Sequence, residues 1–138
     1  MEKERIILLF IIFMLISFIS YILFFKKTQV CENLDCFKKN LLDCKKSSFQ
    51  KNGSFIYEYK ILGKKNQKCV VEVKMLFAGG EPKLKNLVNK KMKCYLPLNY
   101  FEFPEKEINL CSGKLKEEIQ YYLIKESYEF LSQNLGKP

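Results

Sequence analysis

Six cysteines have the most chemistry to offer in this chain: Cys31, Cys36, Cys44, Cys69, Cys94 and Cys111. Thiols can ligate zinc, exchange disulfides catalytically, or oxidise once into a structural bridge. Structural zinc sites favour paired C-x-x-C knuckles, and thioredoxin-type exchange also needs C-x-x-C. Neither spacing occurs; the nearest pair, Cys31 and Cys36, is C-x4-C. An even set in a small domain instead reads as a disulfide framework formed in an oxidising compartment. Spacing alone leaves most connectivities open. It excludes one pair, because Cys36 and Cys44 lie about 12 Å apart along an expected helix, beyond the roughly 7 Å between Cα atoms that a bridge allows. The favoured bridge joins the first helix to a strand, from Cys44 to Cys69 or Cys94.

Little else resembles a reaction centre. The chain has no histidine, so the commonest general base and neutral metal ligand are both missing. Asp35 and Asp43 are too far apart on one helix to share a reacting atom. Ser54 and Ser112 have no histidine or lysine dyad motif, and Gly79-Gly80 lacks phosphate-loop spacing. The expectation is a non-enzymatic protein with no cofactor and no metal.

A second constellation mixes cations with rings: Lys91, Lys93, Tyr95, Tyr100, Phe101 and Phe103, near Lys83, Lys85 and Lys90. Rings among lysines can stack bases or sugars, although core and edge packing accounts for the same residues without a ligand. An extracytoplasmic address argues against nucleic acid. The formal net charge of +9 favours anionic partners such as lipid headgroups or acidic surface polymers. Because Glu2, Lys3, Glu4 and Arg5 cancel, the excess lies beyond Phe25.

The framework expected to carry these residues begins with a hydrophobic run. From Ile6 to Phe25 the sequence carries no charge, and about twenty helical residues span roughly 30 Å, a bilayer core. This run exceeds the about 7–15 apolar residues of a signal peptide and lacks a small-x-small cleavage site, which predicts an uncleaved anchor. Lipidation of Cys31 is disfavoured by Val30, where a small residue is needed. The lysines after the run, Lys26, Lys27, Lys38 and Lys39, lean toward a cytoplasmic C-terminal domain. The cysteines lean the other way and decide the expectation.

Beyond a short linker, Asn33 is placed to cap a helix running to about Lys45, with Leu34, Phe37, Leu41 and Cys44 on one face. Ser47 to Gly53 reads as a polar connection. Two alternating runs follow, one carrying Phe55, Tyr57, Tyr59 and Ile61, the other Cys69, Val71, Val73, Met75 and Phe77. A five-residue loop centred on Lys65 would set Tyr59 against Val71 and Glu58 against Glu72, the latter a like-charge pair. Lys83 to Lys90 suggests a helical turn. Met92, Cys94 and Leu96 mark a third strand ending at Pro97, and Tyr100 to Phe103 an edge strand or aromatic loop. Ser112 would cap a final helix of about twenty-two residues with an apolar stripe of Leu115, Ile119, Tyr122, Leu123, Phe130 and Leu131. Gly136 and Pro138 would stop it.

The series Cys31-Glu32-Asn33-Leu34-Asp35-Cys36, Lys68-Cys69-Val70-Val71, Met92-Lys93-Cys94-Tyr95-Leu96-Pro97 and Cys111-Ser112-Gly113 resembles small uncharacterised, cysteine-containing exported proteins of archaea and some bacteria. Those are typically membrane-anchored. The resemblance implies an exported protein with structural cysteines and brings no activity with it.

These readings predict an anchor at residues 1–27 and an extracytoplasmic α+β domain at 28–138. In that domain two helices cover an antiparallel sheet of three or four strands, stapled by disulfides. Its expected inner face is Phe55, Tyr57, Tyr59, Val71, Val73, Met75, Met92 and Leu96. The expected role is binding or structural at a membrane surface, with lipid contacted through residues 6–25 and acidic polymers or other membrane proteins as further partners. The alternative is a subunit of a membrane or pilin-like surface assembly, and an envelope enzyme is disfavoured.

Overall fold

The computed structural model describes residues 2–24, 28–80 and 82–135, and within the first helix the side chains of Arg5 and residues 7–21. Phe25, Lys26, Lys27, Glu81 and the expected stop signal, Gly136 and Pro138, lie outside the described residues.

Helix α1 (Glu2–Phe24) is apolar on every side, and the described residues 7–21 are all exposed. Among the described residues no helix is long and apolar enough to cross a membrane. The expected span therefore rests on the sequence of residues 6–25 and is not supported by the described helix.

Six strands form one mixed sheet in chain order: β1 (Gln29–Cys31), β2 (Ser47–Lys51), β3 (Phe55–Lys65), β4 (Lys68–Ala78), β5 (Lys91–Pro97) and β6 (Cys111–Ser112). β1 pairs parallel with β2, and every other pair is antiparallel. The expected sheet of three or four strands is thus too small and too uniform. β1 and β6 are too short to show alternation, and β2 was hidden by its polar composition, Ser47-Ser48-Phe49-Gln50-Lys51.

Between β1 and β2 lies α2 (Leu34–Leu42), whose cap is as expected: the Asn33 side chain accepts from the Cys36 amide at 2.9 Å. The helix stops earlier than Lys45. Cys44 turns to φ +52°, its amide donates to the Leu41 carbonyl, and the Lys45 amide donates to that of Asn40. This pairing is a Schellman motif, normally closed by glycine. Here the Cys44–Cys69 disulfide holds that residue on β4.

The β3–β4 register differs from the expectation by two residues. Asn66 and Gln67 both have positive φ, 50° and 59°, the signature of a two-residue type I′ hairpin. The strands run on to Lys65 and Lys68, and a bulge between Ile61 and Gly63 shifts the pairing by one residue, so that Tyr59 faces Val73 and Glu58 faces Lys74 rather than Glu72. The like-charge clash disappears. A two-residue slip keeps the same face inward, so Tyr59, Ile61, Val71, Val73, Met75, Met92 and Leu96 are buried as anticipated, and Tyr57 is half-buried. Phe55 is the exception, exposed at the strand's mouth.

Phe37 and Leu41 of α2 seal one half of this face. A 3₁₀ helix (Pro82–Leu87) with Leu84 and Leu87, together with α3 (Lys114–Leu135), seals the other. α3 begins after Gly113, at φ +120° with the Lys91 carbonyl 3.0 Å from where a Cβ would sit. Ser112 belongs to β6 and does not cap α3. The remaining disulfides, Cys31–Cys36 and Cys94–Cys111, tie β1 to α2 and β5 to β6.

Candidate functional site

All six cysteines are paired. Cys44–Cys69 is the helix-to-strand bridge that was favoured, and Cys36 does not bond Cys44. Among the described residues no cluster of His, Cys, Asp or Glu is arranged to hold a metal.

The basic and aromatic residues divide between the two faces of the sheet. Met92, Cys94 and Leu96 point inward, so Lys91, Lys93 and Tyr95 point outward. There the Lys91 Nζ lies 3.0 Å from Glu72. Tyr95, with Lys65, Lys68, Asn109 and Ser112, lines an open cleft of about 360 Å³ at the hairpin end. Phe101 and Phe103 lie on the opposite side, where Phe103 packs 5.6 Å from Tyr59. Tyr100 is exposed and donates to Glu107. The six residues do not form one surface, because β5 alternation and the return of the 98–107 loop carry them to opposite faces.

Around Phe103 the structure assembles a group whose members are far apart in sequence. Glu105 Oε1 accepts from the Tyr59 hydroxyl at 2.8 Å and the Lys51 ammonium at 2.9 Å. That ammonium also lies 4.0 Å from the Phe103 ring centroid, and Lys38 sits over Phe101. Rings of Phe37, Phe49, Tyr59, Tyr57 and Phe55 continue the aromatic layer. Burial, followed by the Glu105 charge, pushes the Tyr57 phenol up to about 12, and burial raises Tyr59 further. Both phenols are neutral at ordinary pH and are poor nucleophiles. The cluster clamps the 98–107 loop to β2 and β3, since a charge-assisted hydrogen bond in a half-buried place is stronger than a neutral one. Only the residue types were visible in the sequence, not the convergence of Lys51, Tyr59 and Glu105 across about fifty residues.

The largest feature missed by the sequence reading is the far half of α3. Leu115 is buried, and Ile119 and Tyr122 pack partly on the core. Glu118 pairs with Lys90, and Tyr121 and Tyr122 line a groove of about 200 Å³ against the 3₁₀ helix. Beyond that point the helix leaves the sheet. Tyr121, Ile124, Tyr128, Leu131 and Leu135 are 48–81% exposed. The expected core stripe was therefore wrong past Tyr122: Leu123, Phe130 and Leu131 face solvent.

Comparison with protein-family models, with curated proteins and with solved structures finds no match for the chain.

Proposed function

We propose that this is a membrane-anchored, disulfide-stapled extracytoplasmic protein that acts by association, with α3 as its docking element. The observation that carries the reading is the exposed spacing on α3. Tyr121, Ile124, Tyr128, Leu131 and Leu135 recur at intervals of three, four, three and four, the seam of a two-stranded coiled coil. Five large side chains at these exposures offer on the order of 600 Å², near the roughly 800 Å² per partner of a stable interface. Leu123 and Phe130 flank the seam. A second copy of the same helix satisfies that geometry, which favours the assembly-subunit form of the proposal. The anchor is supported by the sequence alone, through the uncharged residues 6–25.

Light scattering on the full chain in detergent tests this reading. A defined oligomer is expected, and the Ile124→Glu, Leu131→Glu double variant should be monomeric with an unchanged far-UV circular dichroism spectrum, because neither side chain packs on its own domain, and with a melting temperature lowered only by the loss of association. A wild-type protein that stays monomeric at all concentrations overturns it.

A further inference from the structure

The topology carries the chain into the domain at one particular end. Gln29 of β1 is registered beside Ser47 of β2, and Ser47 beside Ile61 of β3. Past Ile61, β3 runs on to the Asn66–Gln67 turn. The point where the chain enters β1, the start of β2 and the tip of the long hairpin therefore share one end of the sheet. Lysines gather there. Lys45 and Lys46 lead into β2, Lys64, Lys65 and Lys68 flank the turn, and all five are exposed.

One close approach and one charge effect mark the convergence of these segments. The Lys46 side chain lies 3.7 Å from where a Cβ on Gly63 would sit. The Asp43 carboxyl is held below its usual range by its hydrogen bond to Lys45, with Lys39 and Lys64 contributing charge. Asp43 is the only acidic residue within 43–47 and 63–68, and it is engaged by Lys45 at 2.7 Å. Among the described residues Lys46, Lys64, Lys65 and Lys68 make no ion pair. The apolar projecting half of α3 belongs to the other end, since α3 packs on the 3₁₀ helix that follows β4.

Only Lys26, Lys27 and Thr28 separate Phe25 from Gln29. Even a fully extended chain covers at most about 14 Å over that interval, comparable to the Debye length of roughly 8–10 Å at physiological salt. Resting on the anchored reading above, we infer that this lysine-rich end docks the domain on anionic lipid headgroups of the bilayer that holds residues 6–25. Docking presents α3 away from the membrane. The attraction is the ordinary one between a basic segment and a negatively charged lipid surface, and salt screens it.

The test places the full chain in phosphatidylcholine vesicles with or without phosphatidylglycerol and labels outward-facing amines with a membrane-impermeant reagent, read lysine by lysine. Phosphatidylglycerol is expected to slow labelling of Lys45, Lys46, Lys64, Lys65 and Lys68 several-fold, leaving Lys85, Lys106 and Lys125 unchanged, and high salt is expected to erase the difference. In the Lys64→Gln, Lys65→Gln, Lys68→Gln variant, which alters only exposed side chains, the protection of Lys45 and Lys46 should also fall. Equal labelling in both vesicles, or equal protection in both, overturns the docking. So does protection by added heparin but not by phosphatidylglycerol, which would assign the patch to a soluble acidic polymer. Flotation separates the two readings: a chain that floats without lysine protection overturns docking alone, and one that never floats overturns the anchor and the docking together.

Discussion

Cys44 and Cys69 sit where loop-closure entropy is largest among the three bridges. Their sequence separation is 25, against 17 for Cys94–Cys111 and 5 for Cys31–Cys36. In the chain-entropy account these are worth about 3.5, 3 and 2 kcal/mol respectively. Replacing Cys44 and Cys69 together by alanine should therefore lower the melting temperature more than replacing Cys31 and Cys36, and scanning calorimetry of the two variants checks the order. The Cys44 backbone adds to the difference, because without the bridge only the two capping hydrogen bonds oppose the strain of a non-glycine residue at φ +52°. A second expectation at this scale concerns Tyr57. Its phenol is raised to about 12 by burial and by Glu105, while an unfolded tyrosine ionises near 10. The folded state thus binds the extra proton between those values. Stability from this group is complete below about pH 10 and is lost as pH rises toward 12. Tyr57→Phe should flatten part of that alkaline decline, by about 1 kcal/mol given the ring's partial exposure, while leaving stability at pH 7 nearly unchanged. Urea melts from pH 8 to 12 measure both.

The hairpin shows what local sequence can and cannot reveal about an element. Tyr57, Tyr59, Val71 and Val73 alternate plainly, so the strands and their buried face were legible. The register was not, because it depends on backbone angles at Asn66 and Gln67 and on the bulge between Ile61 and Gly63 rather than on side-chain pattern. Glycine is the usual second residue of a type I′ turn, and glutamine holds φ +59° there at a cost of about 1 kcal/mol. Gln67→Gly should raise stability by that order, read as a higher denaturation midpoint at unchanged m value. A loss would mean that the Gln67 side chain contributes a contact outweighing the backbone strain. The same division applies elsewhere. Asn33 announced its helix through cap chemistry, whereas β1 and β6 exist only because longer neighbours offer them a free edge. In α3, apolar residues alone cannot distinguish a stripe that faces the sheet from one that faces a partner. Leu115 and Leu131 look alike in sequence and end up on opposite sides of that distinction.

For the whole molecule, the anchor, the address and the disulfides stand as one linked proposal that can be tested together. Oxidation of all six cysteines requires a compartment that does not reduce them, and residues 6–25 would place the domain beside the membrane that bounds such a compartment. Protease added to intact cells should then remove the domain and leave a membrane-retained N-terminal fragment. Mass spectrometry of the untreated, extracted protein should find residues 2–25 still attached. Alkylation without reductant should block no cysteine, since each sulfur is bonded, and alkylation after reduction should block six. The two halves can fail separately. A new terminus between Ser17 and Cys31 would leave the disulfide-stapled domain intact but make it a released protein, removing the anchor from the proposal. Six reactive thiols together with full protection from external protease would place the domain on the cytoplasmic side. That is the orientation favoured by Lys26, Lys27, Lys38 and Lys39 under the positive-inside rule, and in that case charge rather than cysteine content would be the better guide to its address.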